Sequence, residues 1–194
     1  MDLFRNRYKI ESTRLKNWEY SNPGYYFITI CTYDRQNYFG KIKNQKMVFS
    51  KIGKITENCL IQIPNHFKNI KLDKFVVMPN HIHVIIRIMN NVETRQNDEH
   101  TSQKNVETRH GASLQYKYNK FGPLKTNSIP SIINHYKGSV TRQCRKQKII
   151  YKLWQPRFYD RVIRNDQELN KIRNYIKKNI RNWKHDRNNP QPGS

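Results

Sequence analysis

The chain has 194 residues, with 37 lysines and arginines against 14 aspartates and glutamates, and its formal net charge is +23. This excess predicts a polyanionic partner, because neutralising phosphates and releasing their counterions drives nucleic-acid binding. It is too large for an ordinary enzyme of small metabolites, and twelve tyrosines add surfaces on which unpaired bases can stack. A membrane-surface protein could share the charge, but no basic segment here has a large, clean apolar face.

The cysteines and the apolar segments indicate the cellular compartment. Cys31, Cys59 and Cys144 lie far apart with no Cys-x-x-Cys spacing, which fits a reducing cytosol and disfavours a disulfide framework or a zinc ribbon. No apolar run reaches the roughly 18–20 residues of a spanning helix, and the first residues lack the apolar stretch of a signal peptide. We therefore expect a cytoplasmic protein with no membrane partner, located at the nucleoid if it binds DNA.

Residues 1–22 are basic and irregular, and their interspersed aromatic side chains favour a DNA-contacting arm over a merely solvated one. Beyond this arm, apolar residues alternate or recur at helical spacing, and turn residues separate the segments. The predicted elements are a strand over 25–33, a polar hairpin or loop over 34–44, a short strand over 47–49, a helix from Ser50 to Pro64, and strands over 70–78 and 81–89. Because only Pro79 and Asn80 separate the last two strands, they should form an antiparallel hairpin at the centre of a sheet.

Residues 91–127 are polar, and the five residues 91–95 recur as 105–109. A repeat this short is not a structural unit, so we expect a long, exposed and mobile insertion. The elements expected after it are a helix opened by Ser128 and Pro130, a basic strand or extended segment over 151–157, and a helix capped by Asn165 or Asp166 that runs to Asn179.

This order of elements predicts an α+β fold, in which an antiparallel sheet carries helices on one face. The expected domain organisation is a basic arm over 1–22 and a single domain over 23–180, with the insertion at about 91–127 inside it. A polar tail over 181–194 contains two prolines and should fray.

The most hydrophobic segment carries His81 and His83, separated by Ile82. On a strand the two imidazoles share a face while Ile82 turns into the core, so they can form two arms of a metal site. By itself such a pair is weak evidence for a metal. An unpaired polar side chain on an apolar strand is costly unless the face opens on a cleft or a metal, and phosphate chemistry commonly uses a divalent cation.

The last predicted helix places Tyr175 and Asn179 on one face, about one turn apart. The amide oxygen of Asn179 could complete a His-His-Asn site for Mg²⁺ or Mn²⁺, with Tyr175 beside the ion and able to attack a phosphate. A phenol has a pKa of about 10 and needs a nearby cation to become a nucleophile. The alternative is that Tyr175 packs in the core beside Ile172 and Ile176, and the spacing alone favours that alternative.

Five segments of the chain together resemble the REP-associated tyrosine transposases, a branch of the single-tyrosine HUH (His-hydrophobe-His) transposases that includes insertion-sequence enzymes. The resemblance runs nearly end to end, and the segments that carry it are Pro23–Thr32, Phe75–His83, Ile132–Arg142, Leu153–Arg164 and Asn174–Asn179. It implies a ferredoxin-like α+β core with the HUH motif on a central strand. One departure is Ile180, where the family usually has proline after the asparagine, so the helix should end later here.

The resemblance also implies an activity: an endonuclease and DNA strand transferase that binds single-stranded REP-like hairpins and uses Mg²⁺ or Mn²⁺. His81 and His83 match the metal-binding pair, and Asn179 matches the third protein ligand. Tyr175 matches the nucleophile that forms a 5′-phosphotyrosine link and frees a 3′-hydroxyl, which permits rejoining. Relatives occur as monomers or as homodimers that exchange the tyrosine helix, so both arrangements stay open.

Basic residues on the arm, the second helix and the segment after it are expected to contact phosphates. They are Arg5, Arg7, Lys137, Arg142, Arg157, Arg161 and Arg164. Arg157 and Arg164 could instead pair only with Asp160 and Asp166. Two rival functions also stay open, namely a hairpin-binding regulator that has lost catalysis and a nucleotide hydrolase with a histidine nucleophile. The hydrolase would require a third alternating histidine where Ile85 stands.

Overall fold

The computed structural model describes residues 18–90, 124–149 and 152–190. Arg5 and Arg7, most of the basic arm and most of the insertion lie outside these residues. The strands are β1 (Gly24–Cys31), β2 (Gly40–Lys43), β3 (Lys46–Phe49), β4 (Ile70–Val77), β5 (His81–Ile88) and β6 (Tyr159–Ile163). The helices are α1 (Lys51–Ile61), α2 (Ile63–His66), α3 (Ile129–Lys146) and α4 (Asp166–Lys178), with 3-10 turns at Tyr33–Arg35 and Trp183–His185.

Four strands form one antiparallel sheet in the order β4-β5-β1-β6, and β2 pairs with β3 as a separate hairpin. Strand, helix, two strands, helix and strand in this order make a ferredoxin-like β-α-β-β-α-β arrangement. The α+β expectation is therefore confirmed. Strand β5, which carries both histidines, has a partner on each side and is a central strand, as expected.

Alternate residues of β1 and β5 face opposite sides of the sheet. Ile28 and Ile82 belong to the larger core, where α1 and α3 cover one face of the sheet. Phe27 and Ile85 point the other way, and α4 buries Leu169 and Ile176 against them. The two histidines share this second face, because Thr29, two residues from Phe27, contacts His83.

For the segment over 151–157 the sequence left a strand or an extended segment open, and the described residues 152–157 contain no strand. Trp154 makes a single isolated bridge with Thr32, and the edge strand of the sheet is β6, further along the chain. Pro156 lacks the N–H that a ladder requires, and Arg157 has a φ of 65°, which ends extended structure. The indole of Trp154 donates to the carbonyl of Lys137 at 3.1 Å, so this segment packs on α3 instead.

The sequence predicts that helical structure ends at Pro64, but it continues to His66. α1 ends at Ile61, and Pro64 lies in the first turn of the short helix α2, where its missing N–H leaves no hydrogen bond unmade. Within the described part of the chain, no helix combines the length and the hydropathy needed to cross a membrane.

Candidate active site

His81 and His83 lie side by side in the centre of the sheet, with side chains that are almost completely buried. Their Nε2 atoms are 3.1 Å apart. Two ligands at about 2.1 Å from an ion in octahedral geometry lie about 3.0 Å apart when they are adjacent. The pair therefore has the spacing of two ligands of one ion.

Asn80 determines which nitrogen of His81 carries the proton. Its amide Nδ2 donates to the carbonyl of Arg35 at 2.9 Å and to the carbonyl of Asn188 at 2.7 Å. Its Oδ1 lies 2.9 Å from Nδ1 of His81, and since an amide oxygen only accepts, Nδ1 must be the donor. The lone pair of His81 is consequently on Nε2, where it faces His83.

His83 is held by its neighbours on β1. The register sets Thr29 directly opposite His83, and the hydroxyl of Thr29 lies 2.8 Å from Nδ1. This hydroxyl can accept as well as donate, so it supports the tautomer that leaves Nε2 free to bind a metal. The ring of Phe27 stacks on His83 with centroids 5.3 Å apart, which restricts the imidazole from the side.

Both histidines are neutral at physiological pH. Burial, together with the smaller effect of the charges of Arg35 and Arg187, lowers the pKa of His81 to about 3. Burial likewise lowers the pKa of His83 to about 3, with a further contribution from His81. A metal requires neutral imidazoles, so protons do not compete for this pair near pH 7.

Tyr175 reaches the histidines from α4. Its hydroxyl lies 3.0 Å from Nε2 of His83, and its ring meets the ring of Phe27 edge-on at 6.2 Å. The side chain is 44% exposed, whereas the adjacent Ile176 is buried, so Tyr175 does not pack in the core. Burial of the hydroxyl and the charge of Asp186 raise its pKa, and a hydrogen bond from Asn179 acts in the opposite direction.

Asn179 ends α4 beside Tyr175 and is only 2% exposed. Among the described residues, its Oδ1 is buried and has no hydrogen-bond partner. A buried amide oxygen without a partner costs free energy unless something else satisfies it. Because Asn179 also hydrogen-bonds to Tyr175, whose hydroxyl lies 3.0 Å from Nε2 of His83, this oxygen fits a site for a divalent cation.

The sequence did not point to Asp186, which the structure places at the histidines. Its Oδ2 lies 3.9 Å from Nε2 of His81, and ligand atoms of His81, His83 and Asp186 all lie within 4.8 Å of one another. Asp186 is the last acidic residue of the chain and stands alone among the basic and amide residues that follow α4. A single carboxylate in a basic segment was the feature of the sequence that could have indicated a role for Asp186.

The tail is predicted to fray, but its residues 181–190 are ordered and include the 3-10 turn at Trp183–His185. Beyond α4 the chain continues in turns, and the N–H of Asn182 donates to the carbonyls of Lys178 and Asn179, both at 3.1 Å. α4 itself ends at Lys178, with Asn179 as its C-cap, so the later helix end expected from Ile180 is wrong. The continued turns bring Trp183 over His81, with ring centroids 6.0 Å apart.

The expected phosphate contacts differ in their surroundings. Nζ of Lys137 donates to the carbonyls of Gln155 and Arg157 at 3.0 and 2.6 Å, and burial lowers its pKa to about 8. Arg161 pairs with Glu168 at 2.6 Å. The remaining described members are exposed, and they are Arg142 on α3, Arg157, and Arg164 beside β6. Arg161 and Arg164 also line an open pocket of about 320 Å³.

No model of a known protein family matches the sequence. An uncharacterized protein of Haemophilus influenzae is 34% identical over 176 residues, which are 90% of each chain. The solved structure of a REP-associated tyrosine transposase bound to a REP hairpin covers 91% of this chain and 74% of its own, with a TM-score of 0.54 and 17% identity. The chain therefore belongs to the same family as the Haemophilus influenzae protein, and it has the fold of the REP-associated tyrosine transposase.

Proposed function

We propose that this protein is a metal-dependent single-strand DNA endonuclease and transposase that binds REP-like hairpins and cleaves them with Tyr175. The observation that carries the proposal is the 3.0 Å distance between the Tyr175 hydroxyl and Nε2 of His83. A half-exposed phenol beside two buried, neutral imidazoles and an unsatisfied amide oxygen is the arrangement of a nucleophile next to a metal site.

His81, His83 and Asn179 would hold Mg²⁺ or Mn²⁺ through two imidazole nitrogens and one amide oxygen. When bound, the ion would withdraw charge from the oxygens of the scissile phosphate and orient the phosphate. Asn80 and Thr29 contribute by keeping both Nε2 lone pairs directed into the site, because each occupies the Nδ1 atom of one histidine.

Tyr175 supplies the nucleophile in this mechanism. Its oxygen attacks phosphorus, a tyrosyl–phosphorus bond forms, and the bond from phosphorus to the 3′-oxygen breaks. The phenolic proton passes to solvent, and the leaving 3′-oxygen takes a proton from solvent, so the products are a 5′-phosphotyrosine and a 3′-hydroxyl. Attack by a 3′-hydroxyl in the reverse direction rejoins strands. Because burial raises the pKa of Tyr175, the phenol is unreactive until cations surround it.

The net charge of +23 supports a DNA substrate, since each neutralised phosphate releases counterions. The resemblance in fold to a transposase bound to a REP hairpin supports a hairpin in particular. We assign the phosphate contacts to the basic residues expected from the sequence. The duplex stem of the hairpin would contact α3 and the N-terminal arm, and its single-stranded foot would lie at Tyr175. A cytoplasmic, nucleoid-associated location follows from this proposal.

A cleavage assay on a single-stranded hairpin with Mg²⁺ or Mn²⁺ tests the proposal. The wild-type protein should form a covalent protein–DNA adduct that survives denaturation, and Tyr175→Phe should form none. Tyr159→Phe is the matched control, because Tyr159 is another exposed tyrosine whose ring lies against Phe27. An adduct from Tyr175→Phe would show that another residue is the nucleophile.

A hairpin-binding regulator that has lost catalysis is the alternative function. His81, His83 and Tyr175 lie together, which favours the enzyme. Tight binding of hairpins without added metal, never followed by cutting, would favour the regulator.

A further inference from the structure

The chain beyond α4 contributes a carboxylate to the face of the sheet that carries the histidines. The side chain of Asp186 is 5% exposed, and its Oδ2 lies 3.9 Å from Nε2 of His81. Because the contact with Asn80 leaves the lone pair of His81 on Nε2, this nitrogen does not donate to Oδ2 of Asp186. Two lone pairs that face each other in a buried site are favourable when a cation lies between them.

The two oxygens of Asp186 have different partners. Oδ1 accepts the backbone N–H of Asn188 at 2.7 Å, which orients the carboxylate. Oδ2 is the oxygen directed at the histidines, and 3.9 Å is too long for a hydrogen bond. Two ligand atoms that each lie about 2.1 Å from one ion can be at most about 4.2 Å apart, so 3.9 Å is within the reach of a shared ion.

Contacts of the two residues that follow Asp186 set its position. Nη1 of Arg35 donates to the carbonyl of Arg187 and to Oδ1 of Asn188, both at 3.0 Å. Asn80, which directs the lone pair of His81, also donates to the carbonyl of Asn188. The same asparagine thus orients the histidine and fixes the segment that carries the carboxylate.

We propose that Asp186 is a further protein ligand of the divalent cation, through Oδ2. This inference rests on the metal site of the proposed function and adds a carboxylate to its two imidazoles and one amide. Carboxylate and carbonyl oxygens suit Mg²⁺ and Mn²⁺, whereas imidazole alone suits later transition metals, so Asp186 biases the site toward a hard cation. It also supplies the negative charge that the His-His-Asn set lacks.

Metal affinity, measured without DNA, tests the role of Asp186 independently of cleavage. The full-length protein, stripped of metal with EDTA and exchanged into chelator-free buffer, is titrated with Mn²⁺ at pH 7, and the free ion is followed by electron paramagnetic resonance. Asp186→Asn should bind Mn²⁺ about 10–100-fold more weakly than the wild-type protein. Asp166→Asn removes the same charge from an exposed position on α4 and should bind Mn²⁺ like the wild-type protein.

His83→Ala distinguishes failure of Asp186 as a ligand from failure of the whole proposed metal site. If His83→Ala loses Mn²⁺ while Asp186→Asn and Asp186→Ala bind it within twofold of the wild-type protein, Asp186 is not a ligand and the histidine site stands. If wild type and His83→Ala bind Mn²⁺ equally, or neither binds it, the proposed metal site fails and Asp186 with it. Thermal unfolding in EDTA establishes that each variant is folded, and Asp186→Asn decides the question should Asp186→Ala unfold.

Discussion

The hydroxyl of Tyr175 and Nε2 of His83 lie 3.0 Å apart within one chain, although 92 positions separate the two residues. Helix α4, which carries Tyr175, packs on the sheet with only two fully buried side chains, Leu169 and Ile176. The helix need not be borrowed from a partner for the phenol to reach the histidines. Among the arrangements left open by the sequence, the geometry favours a tyrosine that acts on its own chain.

Mixing inactive variants tests this cis arrangement. Tyr175→Phe lacks the nucleophile, and the double variant His81→Ala, His83→Ala lacks the metal-binding pair. If each chain builds its own site, the mixture should form no more adduct than the separate variants, at any protein concentration. Recovery of up to a quarter or half of wild-type activity in the mixture would instead mean that α4 exchanges between chains.

A pair of charged residues compensates for the sparse burial of α4. Nε of Arg173 donates to Oδ1 of Asp73 at 2.8 Å, and its Nη2 pairs with Oδ2 of the same carboxylate on β4. Arg173→Gln should lower the free energy of unfolding by at most about 1 kcal/mol, since the arginine is partly exposed. Cleavage should fall more, by about tenfold, because Tyr175 lies on the same helix and loses its alignment.

Single-turnover cleavage and hairpin affinity should be measured together for Arg173→Gln. The rate should fall while the dissociation constant for the hairpin stays within about twofold. The exchanged pair Asp73→Arg, Arg173→Asp is the control, and it should recover part of the rate. Equal losses of rate and affinity would indicate that Arg173 binds DNA and does not position α4.

The site on the strands could be predicted from sequence because its spacing is local. On a strand, His81 and His83 must share a face, and a helix must align Tyr175 with Asn179, so each pair follows from backbone geometry alone. That the strand and the helix meet could not be derived from spacing, and it came from the resemblance. The structure places the hydroxyl of Tyr175 beside His83, and Asn179 holds a buried, unpaired amide oxygen at the end of the same helix.

The side chains around the histidines were not predictable in the same way. Asn80 belongs to a turn, Thr29 to a strand with no unusual pattern, and Asp186 to a polar tail. Thr29 and Asp186 approach histidines that are distant in sequence, and Asn80 contacts the adjacent His81 from a turn, so no periodicity records these contacts. The missed edge strand has a local cause, because alternating charges at Asp160 and Arg161 concealed the apolar residues of β6.

Asn80 has two functions, since its oxygen accepts from His81 and its amide N–H groups hold Arg35 and Asn188, and two substitutions separate them. Asn80→Asp keeps an acceptor for Nδ1–H of His81 but replaces the two donors that hold Arg35 and Asn188. Asn80→Ala removes both functions and leaves buried groups unpaired, which should cost about 1–3 kcal/mol of stability. Nitrogen-15 NMR of His81 should show the Nδ1–H tautomer in the wild-type protein and in Asn80→Asp.

In Asn80→Ala the same spectra should show a mixture of His81 tautomers. A purely structural asparagine would change stability in both variants and leave the tautomer unaltered. Persistence of the Nδ1–H form in Asn80→Ala would therefore contradict the role assigned to Oδ1.

Acid should destabilise the metal-free protein through the histidine pair. Burial lowers the pKa of His81 and His83 to about 3, whereas the unfolded chain takes up protons at its ordinary pKa of about 6.5. The unfolded state then binds more protons below pH 6.5, so the free energy of unfolding should fall as the pH drops from about 6.5 toward 3. The slope is at most about 1.4 kcal/mol per pH unit for each histidine.

Urea unfolding in EDTA between pH 8 and pH 5 measures this slope. The variant His81→Asn, His83→Asn should show a shallower decline over the same range, whatever its absolute stability. His135→Gln is the comparison, since burial lowers the pKa of His135 as well but far less of its side chain is enclosed. An unchanged slope in the double variant would mean that the pair is not held neutral.

Salt dependence should distinguish paired from unpaired arginines in DNA binding. Arg157 is exposed, and Arg157→Ala should weaken hairpin binding and reduce the slope of log affinity against log salt by about one, as one lost phosphate contact requires. Arg161 is engaged by Glu168 at 2.6 Å, so Arg161→Ala should change the slope less. Glu168→Gln removes the negative charge that pairs with Arg161 and keeps the size of the side chain. It should strengthen hairpin binding and steepen the dependence of log affinity on log salt. If Glu168→Gln leaves both quantities unchanged, Arg161 does not face the DNA, and the contact surface lies away from β6.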